Sequence, residues 1–511
     1  MHALSAKKPP LAAALRALAV GASALVLASC AVGPNFSSPP APDVVRYTPE
    51  KLQSPGSDPA GPRVAGQRFV SGDIPTRWWA AFRSAPLNEL IRLSVERNPS
   101  LQSAEAAIKV ANFNALAQRG LFFPQVGANY DASRQLVSND VSGPGNTTQS
   151  EYSLHTGQLN ISFVPDVWGQ NIRNVESLDA ITEQAQFQLE AAYLALTANV
   201  VTAAVQEASL RGQIAATERI IKIERDILGI LKNQFTAGQA AQVDVLAQEA
   251  ALAQSEQTLP PLQKQLAIQR DLLTALAGQF SADEILQKFD LERLALPHNL
   301  PVTLPSTMVA QRPDVRAAEA GLHSASALVG VAIAARLPNF LISANAGSTA
   351  FQFSQLFTPG TLFYTVAGSA TQTVFDGFTL YHKQKAAEAA LDQANALYRQ
   401  TVITAFQNVA DAVRSLQADA RAVQAAIKAE NAAKASVDII QKQLVLGQVN
   451  QVIVLNAQQV YLNAAITRVQ ATATRLSDTA ALFLALGGGW PTDCSTTDWR
   501  TCVFESRVAA K

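Results

Sequence analysis

Histidine, cysteine, methionine and tryptophan are all scarce in this chain of 511 residues, and each scarcity removes a class of chemistry. The five histidines, His2, His155, His298, His323 and His382, are scattered. No HExxH, GxSxG or phosphate-loop pattern occurs, so zinc hydrolases, serine hydrolases and nucleotide-dependent enzymes have no foothold, and no enzyme is expected. His323 lies in a helical stretch and reads as a packing residue. Basic and acidic residues balance at 40 each without a basic run, which excludes a nucleic-acid partner. Beyond the N-terminal segment no apolar run reads as a membrane-spanning helix. What the chain has in quantity is Ala and Gln, in stretches that suit long helices packed closely through small side chains.

Residues 1–29 read as a signal peptide, because Lys7, Lys8 and Arg16 precede the apolar run Ala17–Ala28, which is too short to span a bilayer. The boundary Leu27-Ala28-Ser29-Cys30 resembles the bacterial lipobox, in which the thiol forms a thioether to diacylglycerol. On that reading Cys30 is the lipidated mature N-terminus, its covalent lipid is the only cofactor expected, and Ala31 after it reads as an outer-membrane sorting choice. The alternative is an ordinary secretory signal with an incidental cysteine. Cys494 and Cys502 form an even pair in an exported, oxidising setting and are read as a candidate disulfide closing a small C-terminal loop. No metal is expected there, since the spacing is not CxxC and no histidine is near.

The chain is duplicated. Phe235–Leu252, FTAGQAAQVDVLAQEAAL, returns as Leu444–Tyr461, LVLGQVNQVIVLNAQQVY, with Gly238 and Gly447 in equivalent places followed by matched Gln, Gln, Val, Val and Leu. Each glycine stands where one helical pattern stops and another starts, so each copy reads as the turn of a helical hairpin. A second match runs from Asn98-Pro99 to Glu105 against Arg312-Pro313 to Glu319, and Pro124 recurs as Pro338.

These matches divide the chain. Residues 30–75 carry Pro, Ser and Gly without period and read as a lipid-anchored extended strap. Trp78-Trp79 are expected to wedge that strap against the body. The first repeat, 76–287, holds a strand pair at about 122–165 and a helical hairpin at about 170–278. A linker, 288–311, precedes the second repeat, 312–489, with strands at about 338–376 and a hairpin at about 379–487; a tail follows at 490–511. In Gln125–Arg134, Val126, Ala128, Tyr130 and Ala132 alternate with polar residues, and Leu159, Ile161 and Phe163 do the same in Gln158–Phe163. The span Gln135–Glu151 between them, rich in Ser, Asn and Gly, is expected to be loop. Gln170–Asn233 is a helical tract of 64 residues, about 96 Å at ~1.5 Å per residue. Pro260-Pro261 are expected to kink or break the return helix.

Four alternating strands per chain are what an outer-membrane barrel uses, yet four cannot close, and open edges in hydrocarbon leave unpaired backbone groups. Other subunits must meet them. The alternative from periodicity is a soluble four-stranded sheet with one wet face. For the helices, coiled-coil stalks compete with the wall of a tube, but stalks do not account for the embedded strand pairs.

Several of these residues carry a further likeness: Cys30-Ala31-Val32-Gly33-Pro34-Asn35-Phe36; Trp78-Trp79 with Phe82 and Leu87-Asn88-Glu89-Leu90; Leu304-Pro305-Ser306; and Arg312-Pro313-Asp314-Val315-Arg316-Ala317-Ala318-Glu319. With both hairpin turns, they resemble the outer-membrane efflux proteins, specifically the lipoprotein factors of multidrug and nodulation-type export systems. The resemblance implies a mainly α fold with a small β part, internally duplicated. In it, long helical hairpins of a homotrimer form a periplasmic α-barrel on a twelve-stranded β-barrel in outer-membrane lipid. It also implies a periplasmic adaptor and a proton-driven inner-membrane pump of the RND type as partners. Family members commonly place carboxylates at the second turn. Here those positions are Ile453 and Asn456, and only Asp244 in the first copy is acidic. A neutral gate follows as an expectation, with Asp244 reading equally as a gating carboxylate and as a capping residue.

Overall fold

The computed structural model describes residues 31–44, 46–50, 55, 66–72, 74–137, 150–302, 309–490 and 499–505. The expectations for the signal peptide, Cys30 and Cys494 fall outside the described residues, as does most of the loop expected between the first two strands. In chain order the elements are β1 (Arg68–Val70), a 3-10 turn (Trp78–Phe82), α1 (Ala85–Arg97), α2 (Pro99–Arg119), β2 (Gln125–Val137), β3 (Ser150–Phe163), α3 (Gln170–Thr236) and α4 (Gln242–Leu276). They continue with β4 (Asn299–Pro301), α5 (Pro313–Ala334), β5 (Asn339–Ala350), β6 (Leu362–Thr371), α6 (Thr379–Val445), α7 (Gln451–Ala485) and α8 (Trp499–Glu505), which carries Cys502. The duplication shows in the lengths: α3 and α6 have 67 residues each, α4 and α7 have 35 each.

Two compact units result. One comprises Met1–Pro39, Ile108–Gln184 and Ala318–Tyr398, the other Pro40–Ala107, Ala185–Ala317 and Arg399–Lys511, so each draws on both repeats. The first unit holds a four-stranded antiparallel sheet of order β2-β3-β5-β6. Its strands start beside the prolines, as the change of period predicts, but the first pair runs further than its composition suggests. Gln135, Leu136 and Glu151 are in the ladder, where Arg134 pairs with Glu151 at 2.8 Å and Tyr152 Oη donates to Gln135 Oε1 at 3.1 Å. Cross-strand pairing outweighs the turn-like composition there.

The second unit is built around aromatic and aliphatic packing. Trp78 stacks on Phe483 at 5.2 Å between centroids, Trp79 meets Tyr193 edge-on at 6.3 Å, and Tyr193 meets Trp490 and Trp499 at 5.4 Å. Both leading tryptophans are therefore core residues. The tract around Arg312 is explained by its guanidinium, which is bidentate on Asp314 at 2.9 and 2.6 Å and donates to the Ala485 carbonyl at the end of α7. That end is the C-terminal, negative pole of the helix, where a cation is favourable. Gly212 of α3 admits α7: a Cβ there would lie 3.0 Å from Val469.

Two expectations are corrected. Of the kink or break expected at Pro260-Pro261 the break does not occur, since α4 continues to Leu276; the two carbonyls that lose an N–H partner belong to Glu256 and Gln257, which are exposed to solvent. Two helices, α3 and α5, do reach the length and hydropathy of a bilayer span, but 61% and 50% of those windows are buried in protein, as packed helices require. One feature had no signal at all: β1 and β4 pair in parallel, with Phe69 opposite Leu300.

Candidate functional site

The sheet of the first unit separates polarity by face. Register places Val126, Ile161, Ala344 and Val366 in one row, and Ala128, Leu159, Ala346 and Tyr364 in the next row of the same face. The opposite face carries Asn160 and Asn345 with Thr365 in one row and Asn129 with Gln158 in the next. There Asn160 Nδ2 donates to Asn129 Oδ1 at 2.8 Å, Asn129 Nδ2 to Asp131 Oδ2 at 2.6 Å, and the Thr156 and Thr349 hydroxyls bond at 3.0 Å. This face is mainly polar, interrupted by Phe363 in the Asn129–Gln158 row and by Leu154 opposite Ser133. The apolar face is uncovered: Val126, Leu159, Tyr364 and Val366 are all more than half exposed. Exposed aromatics mark both ends of the strands, Phe351, Phe353 and Phe357 at one, Phe123, Phe375 and Phe378 at the other. Among the described residues β2 and β6 pair on one side only, leaving two edges.

In the same unit the segment after Cys30 is fixed against α3 and α5. Val32 donates its N–H to the Trp168 carbonyl at 3.1 Å, Arg173 bonds Asn35 Oδ1 at 2.7 Å, and Phe36 stacks on His323 at 4.3 Å. Gly33 has a positive φ of 98°, and a Cβ there would lie 2.4 Å from the Gly330 Cα. His323 is thus a packing residue, its Nε2 3.0 Å from Glu176. Burial pushes the Glu176 carboxyl up, but Arg173 and His323 outweigh it and hold the pKa below its usual value.

In the second unit each of the two glycine turns joins consecutive helices, α3 to α4 and α6 to α7. Gly238 and Gly447 adopt φ of 72° and 67°, and each turn closes the same way: Gln239 N–H to Gln234 O at 2.7 Å, Gln448 N–H to Gln443 O at 2.9 Å. The two copies then start their return helices differently. Asn450 caps α7 by accepting from the Ile453 N–H at 3.2 Å, whereas Ala241 offers α4 no cap and Asp244 supplies a negative charge in the first turn. Asp244 is accordingly placed for helix-end stabilisation. Ile453 and Asn456 are exposed beside Val452, so this helix end presents no charge from those positions. Behind them Val245 and Val454 pack with Ile227, Leu228 and Leu231.

Sequence reasoning missed the Asn450 cap and the buried polar residues of the hairpins, among them Glu207, Glu224, Gln248, Gln451 and Gln458. The signal for several was available: Gln451 and Gln458 recur seven residues apart on one helix face.

A family model described as outer membrane efflux protein matches residues 90–279 and 304–488. The pyoverdine export outer membrane protein OpmQ of Pseudomonas putida is 27% identical over 354 residues, covering 67% of this chain and 73% of that protein. The outer membrane protein OprJ of Pseudomonas aeruginosa is 27% identical over 411 residues, covering 78% and 81%. Among solved structures, the CmeC outer membrane channel of Campylobacter jejuni superposes with a TM-score of 0.80 at 20% identity over 92% of this chain and 97% of that one, a likeness of fold.

Proposed function

From the premise that this chain belongs to the outer membrane efflux protein family, we propose that three copies form the passive outer-membrane exit duct of a tripartite efflux system, fed by an inner-membrane pump through a periplasmic adaptor. The family is one of transport proteins, and the chain is not an enzyme. The observation that carries the reading is the amphipathic four-stranded sheet with two unpaired edges. Its uncovered apolar face suits lipid, its hydrogen-bonded Asn and Thr face suits a water-filled lumen, and aromatics at both strand ends suit the two membrane interfaces. Three copies of four strands supply twelve, enough to enclose an aqueous channel.

The remaining surfaces fit the same role. Cys30 anchors the chain by its acyl chains, and the docking of Val32, Asn35 and Phe36 holds the anchored end at the base of the strands. Cys494 and Cys502 close the C-terminal tail as a disulfide. The helix turns around Gly238 and Gly447, with exposed Val243, Leu246 and Val452, meet the adaptor, and the duct opens there. The test is a planar bilayer with the purified lipoprotein. Stepwise conductance from a trimer supports the reading; a detergent-solubilised monomer whose Val126 and Leu159 are wetted by water, or a trimer that passes no current, overturns it.

A further inference from the structure

Near their turns the helices of the second unit carry a layer of polar residues where core residues belong. On α7 the buried stripe reads Gln451, Val454, Gln458, Tyr461, Leu462; on α3 it reads Thr217, Ile220, Glu224, Ile227, Leu228; on α4, Val245, Gln248, Ser255. Each helix thus contributes two polar residues seven apart, which places both on one face. Apolar residues of two clusters interleave with these polar positions, Val454 between Gln451 and Gln458 on α7 and Ile220 between Thr217 and Glu224 on α3.

The layer is incompletely bonded. Gln248 Nε2 donates to the Glu224 carbonyl at 3.1 Å, Ser255 Oγ to Glu224 Oε1 at 3.1 Å, and Gln451 Nε2 to Gln248 Oε1. There the bonding stops. Gln451 Oε1, Glu224 Oε2, Thr217 Oγ1 and both amide atoms of Gln458 find no partner among the described residues. Gln458 is 1% exposed within its own chain, so a second copy packed outside cannot supply one. Burial also raises the Glu224 pKa, against the hydrogen bond from Ser255.

A buried amide without a partner penalises only the arrangement that buries it; once helices separate and water enters, the penalty is gone. We propose that this layer is the release layer of the hairpin bundle: Gln451 and Gln458 keep the packing of α7 on α3 and α4 only weakly favoured, so the helix ends part readily. The inference rests on the exit-duct reading, in which opening at these ends is the working step. It differs from a register-setting role for the same glutamines, which would make their replacement harmful to assembly.

The experiment compares wild type with Gln458→Leu, Gln458→Met and Gln458→Asn as purified lipoprotein, by thermal melting in detergent and by open fraction in planar bilayers. The two apolar variants are expected to melt higher and to shift the closed-to-open ratio toward closed by roughly tenfold or more, the size of one unpaired buried amide. Gln458→Asn, which keeps the amide, is expected to stay near wild type. Unchanged or lower melting, or loss of the trimer in both apolar variants, overturns the proposal. So does a wild-type open fraction retained in Gln458→Leu. A wild type that never conducts instead sinks the duct reading, while melting still judges the layer.

Discussion

Glu207 offers a quantitative test of how the segment after α4 is held. Its carboxylate is fully buried on α3 and accepts three N–H donors: Arg211 Nε at 2.7 Å and Arg270 Nη1 at 3.1 Å on Oε1, and the Phe289 backbone at 3.1 Å on Oε2. Arg270 in turn donates to the carbonyls of Ile285 at 2.7 Å and Gln287 at 3.2 Å and pairs with Glu284. One ionic knot thus ties residues 284–289 to the hairpin. Glu207→Ala removes a charge partner of the buried Arg270 guanidinium and leaves the Phe289 N–H without its acceptor, and breaking a buried pair costs about 3–5 kcal/mol. Because Arg270 retains Glu284, the low end applies, about 3 kcal/mol, equivalent to roughly 10²-fold in a local opening equilibrium. Amide exchange at Phe289 reports that opening directly. It should accelerate by about two orders of magnitude in Glu207→Ala and by about tenfold in Glu207→Gln, which keeps an acceptor for Phe289. Tryptic cleavage after Lys288 should rise in parallel. Acceleration below about fivefold in Glu207→Ala would refute the assignment.

Three further outcomes are expected. Gly447→Ala should cost about 1 kcal/mol, from its positive φ alone since no atom lies within 4 Å of a built Cβ, whereas Gly33→Ala adds a collision with Gly330 and should melt lower; equal losses would contradict this. With Ile453 and Asn456 neutral, bilayer reversal potentials should show weak cation preference and little block by multivalent cations, and Ile453→Asp should raise both. Strong selectivity in wild type that vanishes in Asn456→Ala would count against that. Burial pushes the Glu190 carboxyl up to about 7 from 4.5, against the opposing charge of Arg316. The folded chain therefore binds the extra proton between those values, and stability should fall as pH rises through that window. Asp419, pushed to about 7 by burial and by Asp478, adds to the same slope. Melting at pH 5 and pH 8 should differ less in Glu190→Gln than in wild type, and an unchanged difference would be the contrary result.

The parts legible in the sequence are those written in local pattern. Gly238 and Gly447 announced their turns because a left-handed residue after a helix has few substitutes. Val126, Leu159 and Tyr130 announced the apolar sheet face because alternation is a property of the strand itself. Where longer contacts decide, the pattern fails. Gln135 and Glu151 look like loop and are drawn into the ladder by their partners, and Arg68–Val70 is too short to show a period before Asn299–Pro301 meets it. Pro260-Pro261 predicted a kink or break, and on an exposed helix face the helix runs through them unbroken. The Glu207 knot and the Gln458 layer join residues from distant stretches, and their chemistry appears only when the hairpins are packed together.

The two borders of the sheet are not alike: β2, from the first copy, has 13 residues, and β6, from the second, has 10. Like joined to like would satisfy one border and strand the other, so only head-to-tail joining can close a ring. In the proposed ring, a subunit with a ruined β6 would still offer a sound β2 to its neighbour and be recruited before its defect is met. Such a chain, produced alongside the normal one, would spoil every ring it entered, so the damage would grow with its share of the pool faster than simple dilution.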